Sequence, residues 1–343
     1  MSLFSKKNKK CLGIDVSNDF VRIVEISKKE EGYKLENYGS ARISEITGKK
    51  IKKEGQRFSL PEKEIAETIK AILKETGIKT KKSFFALPHF SSFLISFKMP
   101  KMEKEEIESA IHHQARQRVP LPLNEVTLDW NVSSKNSSDN GVDVFLLAVP
   151  NETIETYREI AKEGNLKIGA LDSEIMGFSQ IFGIEQKSVA VVNIKRWSTS
   201  INIITDQKPA QSSSLNISAS NFEEDISTLS EIDFNQKDNR SEEKSKSNEK
   251  IKASLAEELF EKVEEVYSGY NSESDQPVSK IILTGRGSEI DEIKEEFFKK
   301  DIEVDISKPF MNINYPPVLE DAIDEMSPRF SVAVGMSILG LNS

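Results

Sequence analysis

A strand–turn–strand pattern that occurs twice limits the possible folds of this chain more than any other feature. Residues 11–14 and 20–26 are apolar enough to predict two strands, and the turn-forming residues 15–19 join them in a hairpin. Two further apolar runs repeat this order at 189–194 and 199–204. A repeated hairpin predicts an α/β protein with two lobes that share one duplicated architecture.

Length and charge exclude several other classes of protein. The chain of 343 residues is long enough for two cores. Its net charge of −9, from 47 basic and 56 acidic residues, leaves no basic excess for an extended nucleic-acid surface. The single cysteine, Cys11, excludes an internal disulfide framework and fits a reducing compartment. No apolar run reaches the roughly 18 residues of a membrane span, and the lysine-rich residues 1–10 are expected to be a solvated tail.

Residues 82–168 have the pattern of an inserted subdomain. The predicted elements are strands at 83–87 and 92–99, a helix at 103–118, strands at 126–132 and 142–149, and a helix at 152–162. Pro120 and Pro122 end the first of these helices, because proline cannot donate the next helical hydrogen bond. This β-β-α-β-β-α order predicts a unit with a small core of its own.

The remainder of the second half is less regular. Residues 235–252 contain almost no apolar side chain and predict a mobile loop. Apolar residues spaced along 255–270 predict an amphipathic helix, and residues 280–284 predict a strand that leads into Gly285-Arg286-Gly287. The chain closes with an apolar helix predicted at 330–341.

The first hairpin also has the chemistry of a phosphate site. A carboxylate at a strand end, followed by a tight turn of small polar residues, can order a divalent cation and hold phosphates through backbone N–H groups. Glycine is needed where the backbone approaches a purine or ribose without a side chain. The candidate binding residues are Asp15, which is also the candidate metal ligand, Ser17, Asn18, Gly285, Gly287 and Gly335. The structural alternative for Asp15 is a buried cap of the hairpin.

Several segments in their order along the chain resemble the PilM family of type IV pilus assembly proteins, which are actin-like and similar to the cell-division protein FtsA. The most specific segment is a glutamate-rich helix followed by RVPLPLNEV at 118–126, within the subdomain typical of this group. The other matching segments are LGIDV at 12–16, FALP at 85–88, KMP at 98–100, ALDSE at 170–174, ILTGRG at 282–287 and VAVG at 332–335.

The resemblance implies a two-lobed, actin-like (ribonuclease-H-like duplicated) fold with an inserted β-β-α-β-β-α subdomain. The first lobe is expected at 11–81 and 169–188, closed by a helix at 328–343, the subdomain at 82–168 and the second lobe at 189–327. ATP and Mg²⁺ are the implied cofactors. The implied partner is the cytoplasmic N-terminal peptide of a PilN-like inner-membrane protein, in a groove beside residues 82–168. The chain is then expected to be cytoplasmic and peripherally associated with the inner membrane through its partners.

Three departures from the family pattern affect the implied nucleotide site. Where the second phosphate loop of the family has Asp and Gly, this chain has Asn193 and Lys195, and Arg286 replaces a glycine on the adenine side. An amide carries no charge for a metal, and an ammonium does not replace a backbone cradle. Glu174 is expected to help order magnesium and water, its structural alternative being an ordinary acid at a helix start. Glu174 and Asn193 are therefore counted among the candidate binding residues. These departures predict weakened or lost ATP binding and at most a weak ATPase.

Three alternative functions stay open at this point. One is an FtsA-like cell-division protein, although residues after the last predicted helix leave little room for a membrane-anchoring helix. Another is an actin-fold, ATP-dependent kinase, which would need both phosphate loops and a catalytic carboxylate between the lobes. A nucleotide-free scaffold that kept only the fold is a third possibility.

Overall fold

The computed structural model describes residues 9–17, 19–49, 61–133, 141–183, 188–223 and 240–343. The strands are β1 (Lys9–Val16), β2 (Phe20–Lys29), β3 (Gly32–Arg42), β4 (Lys82–Leu87), β5 (Phe93–Pro100), β6 (Val126–Ser133), β7 (Gly141–Pro150), β8 (Lys167–Ser173), β9 (Ser188–Ile194), β10 (Thr199–Thr205), β11 (Lys208–Leu215), β12 (Lys280–Thr284), β13 (Glu303–Ile306) and β14 (Ile313–Asn314). The helices are α1 (Ile43–Thr47), α2 (Glu62–Glu75), α3 (Lys104–Arg118), α4 (Asn151–Glu163), α5 (Glu174–Phe182), α6 (Ser220–Glu223), α7 (Arg240–Glu273), α8 (Asp291–Phe298) and α9 (Glu320–Asn342).

Two sheets repeat one topology, as the duplicated hairpin predicts. The first sheet has the strand order β14-β3-β2-β1-β4-β8, and the second has the order β11-β10-β9-β12-β13. In each sheet an antiparallel three-stranded meander is followed by two parallel strands. The hairpins β1–β2 and β9–β10 therefore occupy equivalent places in the two lobes, and the predicted two-lobed architecture is confirmed.

The lobes share a central layer of helices. On the outer face of the first sheet, Leu12 and Ile14 of β1 pack with α2 and α4 residues such as Ile69 and Tyr157. The inner faces of both sheets pack against α5 and α9 in one cluster that includes Cys11 and Val191. The outer face of the second sheet is covered by α6, α7 and α8. Since β1 and β9 are buried on both faces, they read as continuous apolar runs.

Helix α9 contacts both lobes at close range. It packs against β1, β2, β4 and α5, and its residue Pro328 accepts hydrogen bonds through its carbonyl oxygen from the Gly285 amide (2.9 Å) and the Thr284 hydroxyl (2.7 Å) of the second lobe. At Gly13 in β1, an added β-carbon would overlap the Ala333 carbonyl of α9. The helix begins ten residues before its predicted start, because Pro328 lies inside it instead of preceding it.

The inserted subdomain is smaller than predicted. The predicted order of elements along 82–168 is present, but β4 pairs with β1 and β8 in the first sheet, and α4 packs in the first-lobe core. Only β5, β6, β7 and α3 form the separate unit, a three-stranded sheet in the order β5-β7-β6 with α3 on one face. The sequence pattern missed this boundary because a parallel core strand and a subdomain strand have similar apolar runs.

The subdomain also touches the second lobe. Its edge strand β5 lies against β11, the edge strand of the second sheet. The Ser96 hydroxyl donates to the Ala210 carbonyl (2.6 Å), and the Lys98 ammonium donates to the Glu273 carbonyl at the end of α7 (3.3 Å). The subdomain therefore bridges the two lobes instead of projecting from one of them.

Two further boundaries differ from the predictions. Residues 235–239 of the predicted mobile loop at 235–252 lie outside the described residues, and residues 240–252 belong to α7. Lysine and glutamate have high helix propensities, so a polar segment can extend a helix that is anchored by the apolar stripe beyond it. In the segment assigned to the second lobe at 189–327, β14 pairs with β3 of the first sheet. None of the helices in the described residues is both long and apolar enough to cross a membrane.

Candidate functional site

The two equivalent hairpins face each other across the cleft between the lobes. Each turn is closed by the same hydrogen bond: the Ser17 amide donates to the Phe20 carbonyl, and the Lys195 amide donates to the Ser198 carbonyl, both at 2.9 Å. By this correspondence Asp15 is equivalent to Asn193, two residues before each turn. The duplicated fold therefore brings the ends of β1 and β9 together, and with them the residues that the sequence singled out.

The Lys195 ammonium lies between two carboxylates of the first lobe. It donates to Glu174 at the start of α5, and its Nζ atom is 3.8 Å from Oδ1 of Asp15. Asp15 and Glu174 are 3% and 4% exposed, so both negative charges are held away from water. A buried charge is tolerated only when it is paired, and the ammonium supplies that pairing.

Two more side chains complete this cluster. Arg22 of β2 is 3.4 Å from Oδ2 of Asp15, and the Asn193 amide donates to Glu174 at 3.0 Å. The four ionised groups therefore sum to zero charge. Although burial disfavours an ammonium, the neighbouring Glu174 and Asp15 raise the pKa of Lys195. Burial also raises the pKa of Glu174, while the Lys195 ammonium opposes that shift.

A second ion pair joins the tips of the hairpins. The Arg196 guanidinium from the second lobe is 3.1 Å from Oδ2 of Asp19 in the first lobe. The same guanidinium lies over the Trp197 ring, 5.1 Å from its centroid. Arg196 thus takes a defined position across the mouth of the cleft.

Lys195 and Arg196 divide the cleft into two cavities. Cavities with empty volumes of about 390 and 420 Å³ share these two residues, together with Ser17 and Asp19, as lining. The first cavity extends to Pro88 and His89 and the second to Gly285 and Arg286. Burial, aided by the charge of Lys195, lowers the pKa of His89, which favours its neutral form.

The predicted binding residues other than the glycines do not all lie in one site. Asp15, Glu174 and Asn193 come together, but around Lys195. Ser17 lines both cavities, and its hydroxyl donates to the Phe20 carbonyl (3.0 Å) and accepts from the Phe20 amide (3.2 Å), as a turn-stabilising serine does. Asn18 lies outside the described residues.

The predicted glycines are required by contacts within the protein. An added β-carbon at Gly285, where φ is +79°, would lie 2.6 Å from Oδ1 of Asn193, and one at Gly287 would lie 2.6 Å from Cβ of Ile194. At Gly335 it would lie 2.8 Å from Cα of Gly177, where α9 crosses α5. Gly335 is therefore a helix-packing residue and not part of the cleft lining, contrary to the sequence prediction. Gly285 lines the second cavity.

The residues present do not fit the implied Mg²⁺ and ATP. A magnesium ion needs oxygen ligands around a central position, and here an ammonium takes the position between the two carboxylates. Within the described residues, no three His, Cys, Asp or Glu side chains converge in a way that could hold a metal. The opposite hairpin supplies Asn193 where a second carboxylate would be needed. No catalytic step through a metal nucleotide can therefore be built from this geometry.

The sequence singled out Lys195 but gave no role to three other charged residues of the site, Arg22, Asp19 and Arg196. Arg22 faces Asp15 directly across the β1–β2 pair, so the hairpin register alone could have predicted their contact. Asp19 and Arg196 carried no such signal, because their pairing depends on how the lobes meet.

A second pair of acids lies away from the cleft. Asp172, at the end of β8, has its pKa raised from 3.8 to about 6, mainly by burial and also by the charge of Asp129 in β6. Asp129 lies on the edge strand of the subdomain sheet, and Asp172 lies on the edge strand of the first sheet. Among the described residues, β6 pairs only with β7, and β8 pairs only with β4. Each of the two sheets therefore has an open strand edge, and each edge carries one of these two acids.

Asp172→Asn is expected to stabilise the protein by about 1–2 kcal/mol at pH 7.5, after allowance for partial solvent screening. The raised pKa means that the folded state loses stability as pH rises from about 4 to about 6, when Asp172 ionises. The variant removes this loss but keeps the oxygen that accepts from the Ser173 amide. Urea unfolding at pH 7.5 and pH 4.5 should show a larger gain at the higher pH, because Asp172 is mostly protonated in the folded state at pH 4.5. The exposed Asp275→Asn is the control, and an equal gain at both pH values would contradict the assignment.

Comparison with known proteins places this geometry in context. The sequence model of a family described as type IV pilus assembly protein PilM matches residues 13–340. A solved PilM–PilN type IV pilus biogenesis complex is similar to this chain with 20% identity and a TM-score of 0.75, over 96% of this chain and 98% of that one. The ethanolamine utilization protein EutJ from Carboxydothermus hydrogenoformans is similar with 12% identity and a TM-score of 0.55, over 96% and 89% of the two chains. The fold is thus the two-lobed actin-like fold.

Proposed function

This chain belongs to the PilM family of type IV pilus assembly proteins, and from this premise we propose that it is a cytoplasmic adaptor which binds the N-terminal peptide of a PilN-like inner-membrane protein. The machine served is a type IV pilus or a related secretion or competence system. Through that partner the chain would associate with the inner membrane without crossing it. We further propose that ATP binding is weakened or lost and that the chain is at most a weak ATPase.

The pair of open strand edges at β6 and β8 is the observation that carries the peptide proposal. An exposed strand edge offers unpaired N–H and C=O groups to which an extended peptide can add. Here one edge belongs to the subdomain and the other to the first lobe, so a peptide between them would contact both. Asp129 and Asp172, one on each edge, suit a peptide that carries a basic side chain.

A charge reversal on the exposed edge tests this location. Asp129→Arg is expected to weaken binding of a fluorescein-labelled PilN-like N-terminal peptide at least about tenfold, because it replaces an attraction by a repulsion. Fluorescence anisotropy in 150 mM salt measures the dissociation constant. The matched control is Glu108→Arg on α3. This helix packs on the face of the subdomain sheet opposite to the Asp129 side chain.

The outcomes of this experiment separate the location from the function. Unchanged affinity in Asp129→Arg would reject the edge between β6 and β8, whereas an intact protein that binds no such peptide would reject the adaptor function. Deletion of the whole segment 82–168 would not be informative, because it also removes β4 and α4 from the first-lobe core.

Lys195 is the observation that carries the nucleotide proposal. Its ammonium, together with the Arg22 guanidinium, neutralises the two carboxylates that would otherwise order a divalent cation, and breaking a buried pair of this kind costs about 3–5 kcal/mol. A metal nucleotide would have to displace it. The kinase alternative is disfavoured on the same ground, because phosphoryl transfer needs charge neutralisation at the transferred group.

Isothermal titration with ATP and Mg²⁺ is therefore expected to show no saturable binding at about 100 μM nucleotide. A micromolar dissociation constant that is lost in Asp15→Ala would contradict this prediction and would restore a nucleotide-dependent function. Asp275→Ala, at an exposed position outside the cleft, is the control for the substitution.

A further inference from the structure

We propose that closure of the two lobes is built into the protein: Lys195 and Arg196 of the second lobe act as a latch on Asp15, Glu174 and Asp19 of the first lobe, so closure needs neither nucleotide nor metal. This inference goes beyond the proposed function, because it concerns the relation between the lobes and not the peptide or its location.

The first part of the latch lies inside the cleft. In an actin-like fold the two hairpins lie on opposite lobes, and in this protein the Lys195 side chain crosses from one lobe to the other. Its contacts with Glu174 and Asp15 both connect different lobes, as does the hydrogen bond from Asn193 to Glu174. Because all three partners are buried or nearly so, these attractions are weakly screened by salt.

The second part lies at the mouth of the cleft. The ion pair between Arg196 and Asp19 joins the two turns directly. The guanidinium is also positioned by the Trp197 ring beneath it, so less side-chain freedom is lost when the ion pair forms. Two adjacent residues of one turn therefore hold two separate points of the opposite lobe.

A protein that relies on a ligand for closure would leave its carboxylates unpaired when the ligand is absent. Here each acidic group between the hairpins already has a basic partner from within the chain. Separation of the lobes would leave Glu174 without both Lys195 and Asn193, and Asp19 without Arg196. The closed arrangement is thus the one in which these charges are compensated.

Spin labels on opposite lobes can measure this closure. Glu67→Cys on α2 and Glu295→Cys on α8 place exposed cysteines on the two lobes, and the native Cys11 is fully buried with its pKa raised to about 12, so it will not be labelled. Electron–electron double resonance should show one narrow distance distribution, identical with and without 1 mM ATP and 5 mM MgCl₂. A broad distribution that narrows on addition of ATP and MgCl₂ would overturn the proposal.

Charge variants test which residues form the latch. Arg196→Glu is expected to broaden the distribution towards longer distances, and the swap Asp19→Arg/Arg196→Glu is expected to restore the narrow one. The double variant Lys195→Met/Arg196→Gln should open the lobes further, and Lys262→Met, at an exposed lysine of α7, is the control. A narrow distribution in both the single reversal and the double variant would overturn the assignment. If the double variant does not fold, the single reversal and the charge swap still test whether these residues form the latch. None of these measurements requires a peptide.

Discussion

Gly13→Ala is expected to destabilise the protein by about 3 kcal/mol or more. The added methyl group would overlap backbone atoms of Ala333 and Ser337 in α9, and backbone cannot move aside as a flexible side chain can. Helix α9 also packs on α5 and is held to the second lobe through Pro328, so its displacement would disturb the central layer of both lobes. Urea unfolding followed by circular dichroism, together with soluble yield, measures the loss.

Gly269→Ala is the matched control for this substitution. Gly269 lies exposed in α7, and an added β-carbon there has no neighbour within 4 Å. Alanine has the higher helix propensity, so this variant should gain about 0.8 kcal/mol. A loss below about 1 kcal/mol in Gly13→Ala would show that α9 can shift away from β1 without difficulty, against the close packing described above.

Lys195→Ala is expected to cost about 3–5 kcal/mol, because it leaves two buried carboxylates with only Arg22 as a cationic partner. Without the ammonium, the pKa of Glu174 rises further, so the folded state keeps its proton to higher pH than the unfolded chain does. The variant should therefore regain more stability than the parent protein does as pH falls, because the pKa of Glu174 is raised further in the variant. Thermal unfolding between pH 5 and pH 8 measures this difference.

A divalent cation should partly rescue the same variant. Removal of the ammonium leaves oxygen atoms of Asp15, Glu174 and Asn193 around the vacated space, which is the ligand type that Mg²⁺ and Mn²⁺ prefer. About 5 mM MnCl₂ should raise the melting temperature of Lys195→Ala but not that of the parent or of Lys262→Ala. A loss of less than about 1 kcal/mol in Lys195→Ala, with no pH dependence, would show that the carboxylates are not held by Lys195.

Much of the fold could be predicted because its determinants are local. The hairpins of β1–β2 and β9–β10 follow from apolar runs joined by turn formers, and their repetition correctly indicated two equivalent lobes. The position of β4 could not be predicted from such signals. Whether residues 82–87 join the first sheet or the subdomain depends on pairing with β1, which lies some 70 residues earlier in the sequence.

Those features of the site that depend only on residue type and position along the chain could be predicted. Asp15, Glu174, Asn193 and Lys195 could be brought together by the duplicated fold, and the loss of charge at Asn193 was visible at once. What the sequence could not specify is the direction of a long, flexible side chain. The sequence showed only that Lys195 replaces a glycine of the family's phosphate loop, whereas in the structure its side chain forms ion pairs with the opposite lobe.

The bridge between β5 and β11 has a consequence for how the protein would respond to a partner. Because the subdomain is hydrogen-bonded to Ala210 and Glu273 of the second lobe, any change in the angle between the lobes must either move the subdomain or break these contacts. A ligand that prefers one position of the subdomain then also prefers one lobe angle. Thermodynamic reciprocity requires that the ratio of this ligand's affinities for closed and open lobes equals the factor by which the bound ligand shifts the equilibrium between them. A substitution that opens the lobes must therefore also change the affinity for that ligand.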